Sequence, residues 1–186
     1  MVNKKQELEQ KEEHDLFVRR ITYALSITGV DAQLAAKKFF TLPSNEQAAY
    51  LDDLDALEAS QQRELAFDDF LKFAHTMWPG FIDGRHHKVM AKKFEEIAAG
   101  KLKRLIINMP PRHTKSEFAS YLLPAWFLGK YPHKKVIQTS HTAELSTGFG
   151  RKVRNLVASE PYKRIFPQIE LQSDSKSASR CGTNFN

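Results

Sequence analysis

Eight consecutive residues, Met109-Pro110-Pro111-Arg112-His113-Thr114-Lys115-Ser116, gather the side chains of this sequence best suited to chemistry on phosphate. A lysine followed by a hydroxyl residue supplies an ammonium that can reach the β- and γ-phosphates of a nucleoside triphosphate. It also supplies an oxygen that can ligate Mg²⁺. A loop that leaves a strand and enters a helix adds unpaired backbone N–H groups and the positive end of the helix dipole, which makes it an anion site. Against the pattern G-x-x-x-x-G-K-[ST], Lys115 and Ser116 match, whereas Met109 and Thr114 stand at the two glycine positions. Glycine there permits positive φ and close approach to phosphate, and a β-branched threonine held left-handed stores roughly 1–3 kcal/mol of strain. Either this loop follows another backbone path or its affinity is modest. The competing reading is a basic turn whose Lys-Ser merely opens a helix.

The elements that must position this loop are legible on both sides. Leu105-Ile106-Ile107-Asn108-Met109 is a short apolar run bounded by charge and by Pro110-Pro111, the pattern of a strand buried on both faces. Ser116 to Leu128 is helical, with Phe118, Tyr121, Leu122 and Trp126 on one side, Pro124 expected to kink it, and Gly129 and Pro132 to close it. Lys135 to Ser140 reads as a second strand, and Thr142 to Ser159 as a helix with Leu145, Phe149, Val153 and Leu156 inward. Strand, helix, strand, helix predicts an α/β fold with a parallel sheet. Ahead of it, residues 2–100 read as successive helices: Lys4–Ser26 broken by Gly29, Ala32–Phe40 capped by Asp31, a helix from Ser44, and Asp68–Met77 ended by Trp78-Pro79-Gly80. Asp52, Asp53, Asp55 and Glu58 form a solvated face there, since they alternate with core positions. Trp78, Phe81 and Trp126 read as packing residues more than as base-stacking platforms.

Composition narrows the partners. The chain has 186 residues, 41% hydrophobic and 27% charged, an ordinary globular balance that excludes wholesale disorder. Its net charge of +6 hides an asymmetry: residues 1–100 hold 13 Lys+Arg against 17 Asp+Glu, and residues 101–186 hold 15 against 5. The basic half suits a polyanion, nucleotide or nucleic acid. Arg151, Lys152, Arg154, Lys163 and Arg164 are its candidates for facing DNA, with a solvated surface as the plain alternative. Cys181 stands alone, so no intramolecular disulfide can form, and a reducing, intracellular compartment is expected. No apolar run approaches the roughly 18–20 residues that span a bilayer, and no membrane partner is expected. The seven histidines include no pair spaced i, i+3 or i, i+4, which argues against a zinc site.

The stretch Gly100-Lys-Leu-Lys-Arg-Leu-Ile-Ile-Asn-Met-Pro-Pro-Arg-His-Thr-Lys-Ser-Glu resembles the deviant Walker A region of the large terminase subunits of tailed bacteriophages. Phe81-Ile-Asp-Gly-Arg-His-His upstream, and Val136-Ile-Gln-Thr-Ser-His-Thr-Ala-Glu-Leu and Phe149-Gly-Arg-Lys-Val-Arg downstream, are similar to that family as well, so the resemblance covers about residues 78–180. It implies a P-loop NTPase-type parallel sheet, and a motor that couples ATP hydrolysis to pumping double-stranded DNA into a procapsid, with a nuclease domain in the full-length protein. Carried over, Pro110, Pro111, Arg112, His113, Thr114, Lys115, Ser116 and Glu117 would bind ATP, with Lys115 on the β/γ-phosphates and Ser116 on Mg²⁺. Arg112 would take the catalytic loop-arginine role, although it lies three residues before the lysine where other branches place theirs four before. Arg85, His86 and His87 fall where the family's adenine-side contacts lie, with a charged surface helix start as the alternative. The implied partners are DNA, a portal protein, a small terminase subunit and further copies in a ring on the procapsid, in the cytoplasm of an infected bacterial host.

Hydrolysis in this class needs an apolar strand ending in Asp followed by a glutamate, and nothing after Ser140 matches. Phe166-Pro-Gln-Ile-Glu-Leu is interrupted by Pro167 and lacks the acidic pair. The expected organisation is therefore a helical N-terminal region (1–65), a helical lead-in with the adenine-side segment (66–100), and the first part of an ATPase core (101–186) truncated before Walker B. Such a chain would bind ATP weakly without turning it over. Two other functions fit the residues: another P-loop DNA motor of helicase or recombination type, and a non-enzymatic module whose acidic helices dock a partner.

Overall fold

A computed structural model of the chain describes residues 2–25, 30–171 and 183–185, and its described residues divide into two units, Met1–Gln62 and Arg63–Asn186. The Ser-rich stretch after Ser173, Cys181, and Ser26 and Gly29 at the end of the first expected helix lie outside the described residues.

In the first unit, α1 (Val2–Leu25), α2 (Val30–Phe39) and the greater part of α3 (Ser44–Asp68) pack around Phe17, Ile21, Ala36, Phe39 and Leu54. Phe17 stacks on Phe39 with ring centroids 4.0 Å apart. Arg20 on α1 ion-pairs with Asp55 and Glu58 on α3, so two of the carboxylates expected only to face water also tie helix to helix.

The second unit holds α4 (Phe70–Met77), α5 (Arg85–Ala98), a π-helical turn (Glu117–Leu122) that runs into α6 (Leu123–Lys130), α7 (Ala143–Val157) and α8 (Glu160–Ile165). Two of the starts have a side-chain cap: for α4 Asp69 accepts the Lys72 N–H at 2.9 Å, and for α7 Thr142 accepts the Leu145 N–H at 3.3 Å. The core is aromatic, built on Phe70, Phe73, Phe94, Phe118, Trp126, Tyr162 and Phe166. Its two polar rings are satisfied: the Trp126 indole N–H donates to the Ala66 and Phe67 carbonyls, and the Tyr162 hydroxyl to the Ala125 carbonyl.

The expected parallel sheet is not seen, and neither of the two expected strands forms. Leu105–Met109 and Lys135–Ser140 are without strand pairing, and no backbone hydrogen bond joins either to a neighbour among the described residues. A strand exists only through its ladder, and apolar composition alone does not supply a partner. Leu105, Ile107 and Met109 pack on the core while Ile106 is 86% exposed, so the run is covered on one face where burial on both was expected. The only strands among the described residues are β1 (Ile169–Leu171) and β2 (Thr183–Phe185), antiparallel, with Ile169 opposite Phe185 and Leu171 opposite Thr183. The architecture is helical, with this one short hairpin-like pair.

Two expectations about the central helix also change. Pro124 produces a change of helix type in place of a simple kink: the Leu123 N–H bonds the Phe118 carbonyl in π fashion. Proline has no N–H to give the Ser120 carbonyl, which accepts from the Gln138 amide at 3.1 Å and so anchors the 135–140 segment. Gly129 lies inside α6 and does not end it; a β-carbon there would stand 2.6 Å from the Phe166 ring.

Candidate phosphate site

The Pro111–Thr114 turn follows the extended segment, and helical backbone begins at Lys115. Arg112 and Thr114 both adopt left-handed backbone, with φ of 64° and 56°. Between them His113 keeps negative φ. Alternating positive and negative φ is the backbone pattern from which anion-binding nests are built. The Phe118 N–H is the first to donate into the helix, to the Thr114 carbonyl at 3.0 Å. The N–H groups of Lys115, Ser116 and Glu117 therefore have no helical acceptor and stay available to a ligand. The threonine thus does what glycine does in the consensus pattern, at the strain expected of a β-branched residue.

That strain is held by a chain of hydrogen bonds whose directions are determined. The Gly84 N–H donates to His87 Nδ1 at 2.9 Å, so the only proton of the neutral ring is on Nε2. His87 Nε2–H lies 2.6 Å from Thr114 Oγ1, and the threonine hydroxyl donates to the His113 carbonyl at 2.7 Å. His113 Nδ1–H closes the turn on the Pro111 carbonyl at 2.9 Å. His87 is 5% exposed, wedged between Phe81 and Phe118 at 4.8 Å each. Burial, then the neighbouring His86, push its pKa below the usual histidine value, with Asp83 opposing and His113 adding a smaller push. Asp83 is itself held by Lys88 at 3.2 Å and His75 at 3.2 Å, which fixes the turn that presents Gly84.

Of the residues expected on the adenine side, Arg85 and His86 line a groove of about 560 Å³ with Val89, Met90 and Lys93 of α5 and the extended 105–109 segment. Its walls are mostly aliphatic, and Met109 leads from it straight into the loop. The Nε2 of His86 is buried and has no hydrogen-bond partner among the described residues. His87 does not line that groove: its Nδ1 is taken by the Gly84 N–H at the start of α5 and its Nε2 by Thr114 of the loop. Pro110, Pro111, Arg112, His113 and Ser116 are exposed, and Lys115 is half-buried with no ion pair among the described residues. The Ser116 hydroxyl makes no capping bond. An ammonium, a hydroxyl without a capping bond and backbone N–H groups without helical acceptors around one turn form a donor set that fits a nucleotide phosphate with Mg²⁺, for which Ser116 would be the chain's own ligand. Glu117 points elsewhere: it ion-pairs with Lys152 of α7 at 2.8 Å.

Arg151 and Lys152 line a hollow of about 720 Å³ along α7 with His141, Gly148 and Asn155. Lys152 is engaged by Glu117 and lies over the Tyr121 and Phe149 rings at 5.8 and 5.7 Å. Arg154 is outside that hollow, and Lys163 on α8 pairs with Glu160 at 3.0 Å. Sequence reasoning missed Gly84, Lys93 and Gln138. Gly84 was signalled by the G-x-x-H spacing, in which the third helical residue reaches back to the cap N–H as Glu or Gln does in a capping box.

No family model matches this chain, and neither a curated protein nor a solved structure does. Among the described residues no helix is long and apolar enough to cross a membrane.

Proposed function

We propose that the 109–116 turn binds the phosphates of ATP with Mg²⁺, and that the chain is the nucleotide-binding portion of a viral DNA-packaging motor of the large-terminase kind. The observation that carries the first half is the pair of positive φ values at Arg112 and Thr114, at the mouth of a helix that opens on Lys115-Ser116. Resemblance of the loop and its flanking stretches supports the second half, together with the basic surplus of residues 101–186.

In this reading the 112–117 backbone N–H groups take phosphate oxygens, and the Lys115 ammonium adds charge-assisted bonds to the β- and γ-phosphates. Ser116 would offer its hydroxyl to Mg²⁺, which when bound would neutralise phosphate charge. Exposed Arg112 is free to reach the outer phosphate, and the aliphatic groove of Val89, Met90 and Met109 receives the base, with Arg85 and His86 at its rim. Arg151 and Lys152 face duplex DNA. Portal, small terminase and sister subunits complete the motor in the cytoplasm of an infected bacterium.

Amide hydrogen exchange on the full chain tests the site. ATP with Mg²⁺ is expected to slow exchange at residues 112–117 in the wild type and not in Lys115→Ala. Equal exchange with and without nucleotide would remove the proposal.

A further inference from the structure

We propose that His87 is the positioning residue of the phosphate loop: through Nε2–H it holds Thr114 in the left-handed conformation that gives the loop its concave shape. The consequence for nucleotide affinity rests on the phosphate-site reading above, whereas the latch itself is a property of the chain.

Each atom of the latch has one available role. The Gly84 N–H can only donate, so Nδ1 accepts, Nε2 carries the proton, and Thr114 Oγ1 receives it at 2.6 Å. The threonine hydroxyl then has its own proton free for the His113 carbonyl at 2.7 Å. Oγ1 is thereby gripped on the donor and on the acceptor side, which fixes the side-chain rotamer and with it the backbone that carries it. Left-handed backbone is disfavoured for a β-branched residue and persists only where the surroundings over-determine it. The surroundings here are this one ring, clamped by Phe81 and Phe118, and the carbonyl of the same Thr114 accepts the first helical N–H. A buried histidine on α5 therefore shapes a loop 27 residues further along the chain. It does so without touching the ligand.

A double-mutant cycle on the full chain distinguishes positioning from mere packing, because glycine adopts φ near 56° with no latch. His87→Ala is expected to weaken ATP binding about tenfold with Thr114 present, and less than about twofold in the Thr114→Gly background. His87→Gln, which keeps an N–H donor at the ε position, is expected to retain affinity within about threefold. Melting temperature without nucleotide gives the second readout: His87→Ala should lower Tm by about 4 °C or more in the Thr114 background and by less than half that beside Thr114→Gly. Equal costs in both backgrounds would overturn the proposal. If the wild type binds no ATP, the melting cycle alone decides: a non-additive result upholds His87 while the phosphate reading fails, and an additive result overturns His87.

Discussion

Thr114 sits where a phosphate loop ordinarily has glycine, and the structure resolves the mismatch by supplying the conformation through a partner. The partner titrates, which gives a pH dependence with a definite sign. Burial holds the folded His87 pKa below the ordinary value, so the unfolded chain binds more protons as pH falls. Its contribution to stability is fully present above roughly pH 6.5, and it is lost as pH falls through the folded pKa. His86, His113 and Asp83 face the same ring, so the comparison must isolate one group. Urea denaturation between pH 8 and pH 5 is expected to show the wild type losing more stability than His87→Gln, which has no proton to gain. Parallel losses in the two proteins would show that His87 does not carry the effect.

Among the elements, the helices were the readable part. Their apolar positions recur at the helical period; the helix read from Thr142 is capped by that residue, and the one read from Asp68 is capped one residue later, by Asp69. The strands were not readable, because Leu105-Ile106-Ile107 has the composition of a strand but pairing is decided by what lies alongside. Ile106 and Ile137, 86% and 89% exposed, are what a sequence pattern without a ladder leaves behind. The 109–116 candidate loop was legible in its residues and in the cost of Thr114, but His87 read as a surface or base contact, since nothing along the chain joins positions 87 and 114. Gly129 was misread for a related reason: glycine near a helix end suggests a cap, and only the packed structure brings the Phe166 ring against it. Gly129→Ala is therefore expected to destabilise by roughly 1–3 kcal/mol through overpacking. Thermal melting measures it, and an unchanged or raised Tm would mean the ring moves aside freely.

At the scale of the molecule, the basic surplus after residue 100 makes any binding to duplex DNA depend on salt. The cations differ in freedom, and this ranks them. Arg151→Ala is expected to lower the slope of log affinity against log salt by about 0.9, while Lys163→Ala, already paired with Glu160, should change it less. Equal changes at both positions would argue that the hollow along α7 has no special part in holding DNA. The central claim, that the 109–116 turn takes nucleotide phosphate, is tested most directly by equilibrium titration of the full chain with ATP and Mg²⁺ beside Lys115→Ala. Saturable binding by the wild type, weakened about tenfold or more by loss of the Lys115 ammonium, is expected. Binding that is absent, or that is equal in the two proteins, would contradict it.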